Sequence, residues 1–260
     1  MNIFQYNAAA WDKQVELGEN KWTQPVSPQQ ISLARRGEFS LVLTPSLPVP
    51  RDWFPTAFEG VDLLGLASGG GQQMPILAAL GANVTSFDAS AKQLGQDQLV
   101  ADREGLTIRT QQGDAADLTC FPDQSFDFIF HPCSNCFMPS LQPVWNEAYR
   151  VLRKGGTLIS GFHNGFLFLF DRIKDENEGV LEVRHSLPYS DLEDLPPEEL
   201  QQFRDRDEAI EFGHTLDQQI GGQIEAGFAI TGFYEDRWSD EASTLNKHCS
   251  LFIATKAVKI

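Results

Sequence analysis

Residues 64–73 read LGLASGGGQQ. The run follows the apolar stretch Val61-Asp62-Leu63-Leu64 and leads into MPILAALGA, so a glycine-rich turn stands where a strand hands over to a helix. Turns of this kind bring backbone amides close to a ligand. A dinucleotide site requires G-x-G-x-x-G, and neither register supplies it: from Gly65 the second position is Ala67, and from Gly69 the third is Met74. No lysine follows the glycines, so a G-x-x-x-x-G-K-[ST] phosphate loop is also absent. A ligand without phosphates needs the same tight turn but tolerates the single extra carbon of Ala67.

Outward from this turn, strand and helix signals alternate, which argues for a parallel sheet covered by helices. The strand signals are Val61–Leu66, Val84–Asp88, Leu106–Thr110, Phe126–His131 and Thr157–Phe162, with helices near Gln73–Leu80, Ala91–Glu104 and Gln142–Leu152. Capping boxes are expected at Ser27/Gln30, Ser90/Gln93 and Thr215/Gln218. The second opens a helix two residues after Asp88, so that carboxylate falls at the carboxyl end of a strand, the edge at which open α/β sheets bind ligands. Residues 1–57 precede the first strand and read as an N-terminal helical cap or flank. Residues 58–260 read as the main domain, closed by a helix around Leu216–Ala226 and strands near Ile230–Trp238 and Leu251–Val258. Residues 171–211 carry 14 acidic and 5 basic side chains with few periodic apolar positions, and so read as an acidic insertion, a solvated lid.

Composition excludes several classes. With 20 Lys+Arg against 36 Asp+Glu the net charge is -16, which repels nucleic acid and anionic lipid. No run approaches the roughly 20 apolar residues of a membrane span, and the amino terminus lacks a basic leader with an apolar core. The four cysteines, Cys120, Cys133, Cys136 and Cys249, are too few and too uneven for a disulfide scaffold, so a cytoplasmic location is expected.

The loop and the segments after it resemble the class I S-adenosylmethionine-dependent methyltransferases. Their first motif, acidic-x-Gly-x-Gly-x-Gly, corresponds to LLGLASGGG, with Leu63 in the acidic place and Ala67 in a glycine place. VTSFDAS resembles the family's second strand, QQGDAADL its next motif, FDFIFHPCSNCF its fourth strand, and WNEAYRVLRKGGTLIS the subsequent helix, turn and fifth strand. The resemblance implies a Rossmann-like three-layer α/β fold, with a seven-stranded, mostly parallel sheet whose last strand is antiparallel. It also implies S-adenosyl-L-methionine as cofactor and methyl transfer to a small-molecule acceptor. On it, Asp88 would take the ribose diol, Asp114 the adenine amino group and the Ala115 amide a ring nitrogen. The remaining cofactor positions are Gly65, Leu66, Ala67, Ser68, Gly69, Gln73, Ala89, Gln93, Gly113 and His131.

His131 ends the fourth strand before Pro132, which cannot donate to a ladder, and is the candidate general base. Trp22, Asn135 and His163 are expected to face the substrate. Tyr6, Trp11 and Trp22 are either the core of the cap or aromatic faces over the sulfonium. Cys133 and Cys136 have C-x-x-C spacing, but no second pair supports a metal site and none is expected. Two other classes use such a loop. A nicotinamide-dependent oxidoreductase is disfavoured by the failed glycine registers, and a non-catalytic S-adenosylmethionine sensor would bind the cofactor without turning it over.

Overall fold

Short apolar runs buried on both faces make inner strands rather than helices, and DLLGL and FDFIFH are two of them. They form β1 (Asp62–Leu66) and β4 (Phe126–His131) at the centre of a seven-stranded sheet. The structure is a computed structural model that describes residues 2–239 and 241–260. The other strands of the sheet are β2 (Asn83–Asp88), β3 (Ile108–Gln112), β5 (Leu152–His163), β8 (Phe228–Asp236) and β9 (Phe252–Lys259). Tyr189–Ser190 (β6) and Phe212–Gly213 (β7) pair separately as a short hairpin.

The sheet order is β3-β2-β1-β4-β5-β9-β8. The first five strands run parallel, and β9 lies antiparallel to both its neighbours, as the resemblance implies. Chain order reverses on either side of β1, so a crevice opens beyond the carboxyl ends of β1 and β4. Alternate residues of one strand feed opposite layers. Leu63, Phe128 and Phe130 pack with Met74 and Leu77 of α3 (Gln73–Ala79), whereas Leu64, Leu66 and Ile129 pack with Val144 and Trp145 of α5 (Gln142–Val151).

Residues 1–57 divide into two parts. Ile31 of α2 (Pro28–Ala34), Leu43, Trp53 and Phe54 belong to the same core cluster as Leu63 and Phe130. By contrast, α1 (Ile3–Leu17) lies along α4 (Ala91–Glu104), where Asp12 Oδ1 accepts from Ser90 Oγ at 2.5 Å and from the Lys92 amide at 3.0 Å. The capping boxes at Ser27/Gln30 and Thr215/Gln218 are reciprocal. At Ser90 only half a box forms, because the Ser90 amide donates to Asp88 instead, leaving the Gln93 carboxamide free to face the glycine loop.

Besides β5, which begins at Leu152 rather than Thr157, two segments differ from their sequence expectations. The helix expected over 216–226 begins as a π-turn at Asp217–Gly221 before the short α9 (Gly222–Glu225). The Trp145 indole presses on Gly222 and donates to the Gln218 carbonyl, which widens the turn. The acidic stretch 171–211 is not merely solvated. It holds α6 (Arg172–Glu178), α7 (Asp191–Asp194), α8 (Pro197–Asp205) and the β6/β7 hairpin. Arg184 ties Asp171 to Glu199, and Arg172 ties Glu176 to Glu208, so two arginines cross-link the excess carboxylates.

Asp97 of α4 is wholly buried, accepting from the Gly71 amide at 2.8 Å and from Ser86 Oγ at 2.6 Å. Burial pushes its carboxyl up to about 7. The folded state therefore keeps a proton that the unfolded chain has already released between about pH 4 and 7, and folding stability declines as pH rises through that window. Asp97→Asn keeps the bond from the Gly71 amide on its one oxygen and can donate its NH2 to Ser86 Oγ, without the charge. The variant is expected to match the wild type near pH 4 and to exceed it in stability at pH 8, as read from urea denaturation at both values. A variant less stable than wild type at pH 8 would contradict this account.

Candidate active site

At the end of β1 the chain turns sharply. Ala67 takes φ 50°, the left-handed region that L-residues rarely occupy, and its amide donates to the Phe87 carbonyl at 2.8 Å. The three consecutive glycines have separate uses. Gly69 passes beside Asp88 and Gln93, at the cavity wall. Gly70 and Gly71 have φ of 122° and 74°, and a Cβ on them would collide with the Trp22 carbonyl at 2.7 Å and the Gln96 carbonyl at 2.9 Å. Gly70 thus admits Trp22 of the N-terminal segment, and Gly71 fits between Pro25 of that segment and Gln96 of α4. The same segment is held by Gln72, whose carboxamide donates to the Lys21 and Gln24 carbonyls, and by the Val26 amide donating to Gly71.

Asp88, at the carboxyl end of β2, is fixed by backbone. Its Oδ2 accepts from the Gly69 amide at 3.0 Å and its Oδ1 from the Ser90 amide at 2.9 Å. Burial pushes this carboxyl up, and the two amides oppose the shift. Asp114 forms a turn of its own, Oδ1 accepting from the Ala116 amide at 2.9 Å. It lies beside Gly113, where a Cβ would strike the Phe87 ring at 2.3 Å.

These groups line one large cavity of about 650 Å³. Of the residues singled out in the sequence, Ala67, Ser68, Gly69, Gln73, Asp88, Ala89, Gln93, Gly113, Asp114, Ala115, Trp22 and His163 face it. Four do not, and these are corrections. Gly65 and Leu66 are the last two residues of β1 and lie outside the cavity lining, the Leu66 carbonyl being met by His131. His131 is wholly buried on the α5 face, its ring edge-on to Trp145 with centroids 5.9 Å apart. Its Nδ1 is 2.8 Å from the Leu66 carbonyl and its Nε2 is 2.7 Å from the Asn135 carboxamide, so neither nitrogen is free for an acceptor. Asn135 is equally buried, donating to Gln219. Strand alternation is the cause: Phe130 points to one layer, so His131 must point to the other.

The far half of the cavity comes from segments remote in sequence. Trp11 of α1 meets Phe137 edge-on at 5.2 Å, and both face the interior. Tyr6 does not face it; its hydroxyl donates to the Glu208 carbonyl and ties α1 to the acidic insertion. Trp22 stands edge-on to Trp238, with the Lys21 ammonium over both rings. Phe168, Tyr189, Phe203 and Glu211 complete the wall, and sequence reasoning missed them. The available signal was the set of bulky apolar residues Tyr189, Phe203 and Ile210 set inside an acidic stretch, where a purely solvated segment has no use for them.

Burial lowers His163 to about 4, so its ring is neutral, and its Nδ1 has no partner. Cys133 and Cys136 are thiols, because burial pushes Cys133 up to about 12 and Cys136 well up also.

His131 is a strut between the glycine turn and the loop after β4. His131→Ala strands the Leu66 carbonyl and Asn135 and opens a void, so it is expected to lose about 2–4 kcal/mol of unfolding free energy in urea titrations. An unchanged midpoint would show that the ring carries no such load. At residue 67 the left-handed turn sets a parallel order: Ala67→Gly is expected to be at least as stable as wild type, while Ala67→Val loses about 1–3 kcal/mol. Thermal melts of the three proteins check it, and a Val variant as stable as wild type would count against the strain.

Residues 64–160 match the methyltransferase domain family. Over 258 residues, 99% of both chains, the protein is 51% identical to YbaJ of Bacillus subtilis, described as an uncharacterized methyltransferase. Its fold is shared with an S-adenosylmethionine-dependent methyltransferase from Mesorhizobium loti, at TM-score 0.59 and 16% identity over 80% of this chain and 94% of that one. A second such structure, a protein from Listeria monocytogenes, superposes with TM-score 0.60 at 17% identity over 81% and 95%. The strand order, the glycine turn with its Asp88 anchor and the full-length identity together place this chain in the class I S-adenosylmethionine-dependent methyltransferase family.

Proposed function

We propose that this methyltransferase holds S-adenosyl-L-methionine between the turn at Ala67–Gly69 and the motif at Gly113–Ala115, and serves a small-molecule acceptor in the far half of the cavity. The observation that carries the reading is Asp88. Two backbone amides fix its carboxylate at the cavity wall, and each oxygen retains capacity to accept from a ribose hydroxyl. The cavity residues also fit the rest of the cofactor. Ser68 and Gln93 line the cavity, and Ser68 Oγ and Gln93 Oε1, sealed from solvent, have no hydrogen-bond partner, so a side-chain rotation would turn them to a ligand carrying both an ammonium and a carboxylate. Gly113 lets the Phe87 ring pack directly against the backbone, and that ring and Ala115 give the cavity an apolar wall, as an adenine plane requires.

The bound cofactor would supply an electrophilic methyl group on a sulfonium. The protein's contribution is alignment and exclusion of water, since such a displacement needs no covalent help from the chain. The α1 helix and the acidic insertion meet over the cavity: Asn7 donates to the Phe137 and Ile210 carbonyls and accepts from the Ile210 amide. His163, unlike His131, is among the residues that line the cavity. Because its ring resists protonation, it suits accepting a hydrogen bond rather than holding a proton. A concave cavity of about 650 Å³ with many apolar and aromatic lining residues and a net charge of -16 both favour a small molecule over nucleic acid.

Asp88→Ala removes charge-assisted bonds to the ribose and is expected to raise the Kd for S-adenosylhomocysteine about 10- to 150-fold in calorimetry. Equal affinity of the two proteins would remove Asp88 from the site and the reading with it.

A further inference from the structure

The acceptor half of the cavity is charged unevenly. The insertion turns seven carboxylates towards it, from Asp171, Asp175, Glu176, Asp191, Glu199, Glu208 and Glu211, against two guanidinium groups, Arg172 and Arg184. Most of the seven are already occupied. Arg184 takes Asp171 and Glu199, Arg172 takes Glu176 and Glu208, and Asp175 accepts from Ser243 and the Thr244 amide. Asp191 accepts from the Tyr189 hydroxyl at 2.8 Å and the Glu211 amide at 2.7 Å.

Glu211 is the exception. Its backbone is locked, the amide bonded to Asp191 Oδ2 and the carbonyl accepting from the Asp191 amide at 3.1 Å. Its carboxylate, however, accepts no hydrogen bond among the described residues, and the nearest cation, Arg172 Nη1, stands at 4.0 Å while engaged with two other acids. The groups acting on it are Arg172, Asp191, Glu208 and Glu176 of the insertion, and its own charge reaches the thiols of Cys133 and Cys136 after β4. Burial and the neighbouring acids push the carboxyl up to about 7. The Glu211 carboxylate, without hydrogen-bond donors, thus stands at a wall that also carries aromatic rings such as Phe168 and Tyr189.

We infer that the methyl acceptor is an amine carried on an apolar skeleton, whose ammonium is bound by the Glu211 carboxylate. Hydrogen bonds to an ionised group are the strong ones, and aromatic faces add attraction for a cation. An amine must lose a proton before its nitrogen is nucleophilic. The N–H bond breaks with its electron pair left on nitrogen, and the proton forms an O–H bond with Glu211, whose affinity for protons near neutrality suits that exchange. A carboxylate or phosphate acceptor would instead meet the surplus of like charge.

The inference rests on the methyl-transfer reading of this cavity, so its test separates the two. Calorimetry with hexylamine and phenethylamine, each paired with the matching alcohol and carboxylate, is run on wild type and Glu211→Gln, with and without saturating S-adenosylhomocysteine. Glu211→Gln keeps the shape of the side chain, and unchanged affinity for S-adenosylhomocysteine reports that the variant is folded. The expected result is that wild type binds at least one amine about 10-fold or more tightly than its alcohol and carboxylate, and that Glu211→Gln brings the ratio close to one. Amine binding no better than alcohol binding, no amine binding at all, or a preference that survives Glu211→Gln would each overturn the proposal. Should Glu211→Gln fail to fold, the wild-type amine-to-alcohol ratio alone decides. Failure of S-adenosylhomocysteine to bind would strike the cofactor reading instead, while the amine comparison on the free protein still judges this one.

Discussion

Two carboxylates hold the turn on which the rest of the molecule depends. Asp88 of β2 takes the Gly69 amide and Asp97 of α4 takes the Gly71 amide, so a glycine run with little intrinsic preference is fixed in one path. That path leaves Gly69 against the cavity and presents Gly70 and Gly71 to the N-terminal segment. Asp97 accomplishes this at the cost of burying a charge, and Ser86 and the Gly71 amide offset only part of that cost. The turn is therefore both the binding edge of the sheet and the seat of residues 22–26.

Closure arises from the same arrangement. Once residues 20–26 are seated on the turn, α1 lies along α4 through Asp12 and the start of that helix, and its apolar side looks across the cavity at the insertion. Asn7 and Tyr6 complete the join, one to Ile210 and the other to Glu208. The acidic insertion can serve as a wall because two arginines neutralise most of the acids that meet there, leaving Glu211 as the carboxylate with spare acceptor capacity. Chemistry in such a cavity depends on what it excludes as much as on what it holds, since removing water strengthens each remaining electrostatic contact.

What the sequence determined by itself was local and periodic. Alternating apolar runs and helix caps located β1, β2, β4, α3, α4 and α5 to within a residue or so, because those signals depend on neighbours in the chain. Asp88 was legible as a cavity residue because its place at a strand end comes from the same local pattern. The tertiary structure decided matters that depend on partners far along the chain. His131 was assigned to the wrong face because its position at a strand end does not say which layer its side chain enters; the pairing of β4 between β1 and β5 and the packing of Trp145 settle that. The half-formed box at Ser90 and the π-turn at Asp217–Gly221 share that origin, each arising when a distant group, Asp88 or Trp145, reorganises local hydrogen bonding. The acceptor wall was the least legible part, since Trp11, Phe168 and Glu211 meet only after the chain has crossed the sheet, and no periodicity in one segment encodes a contact with another.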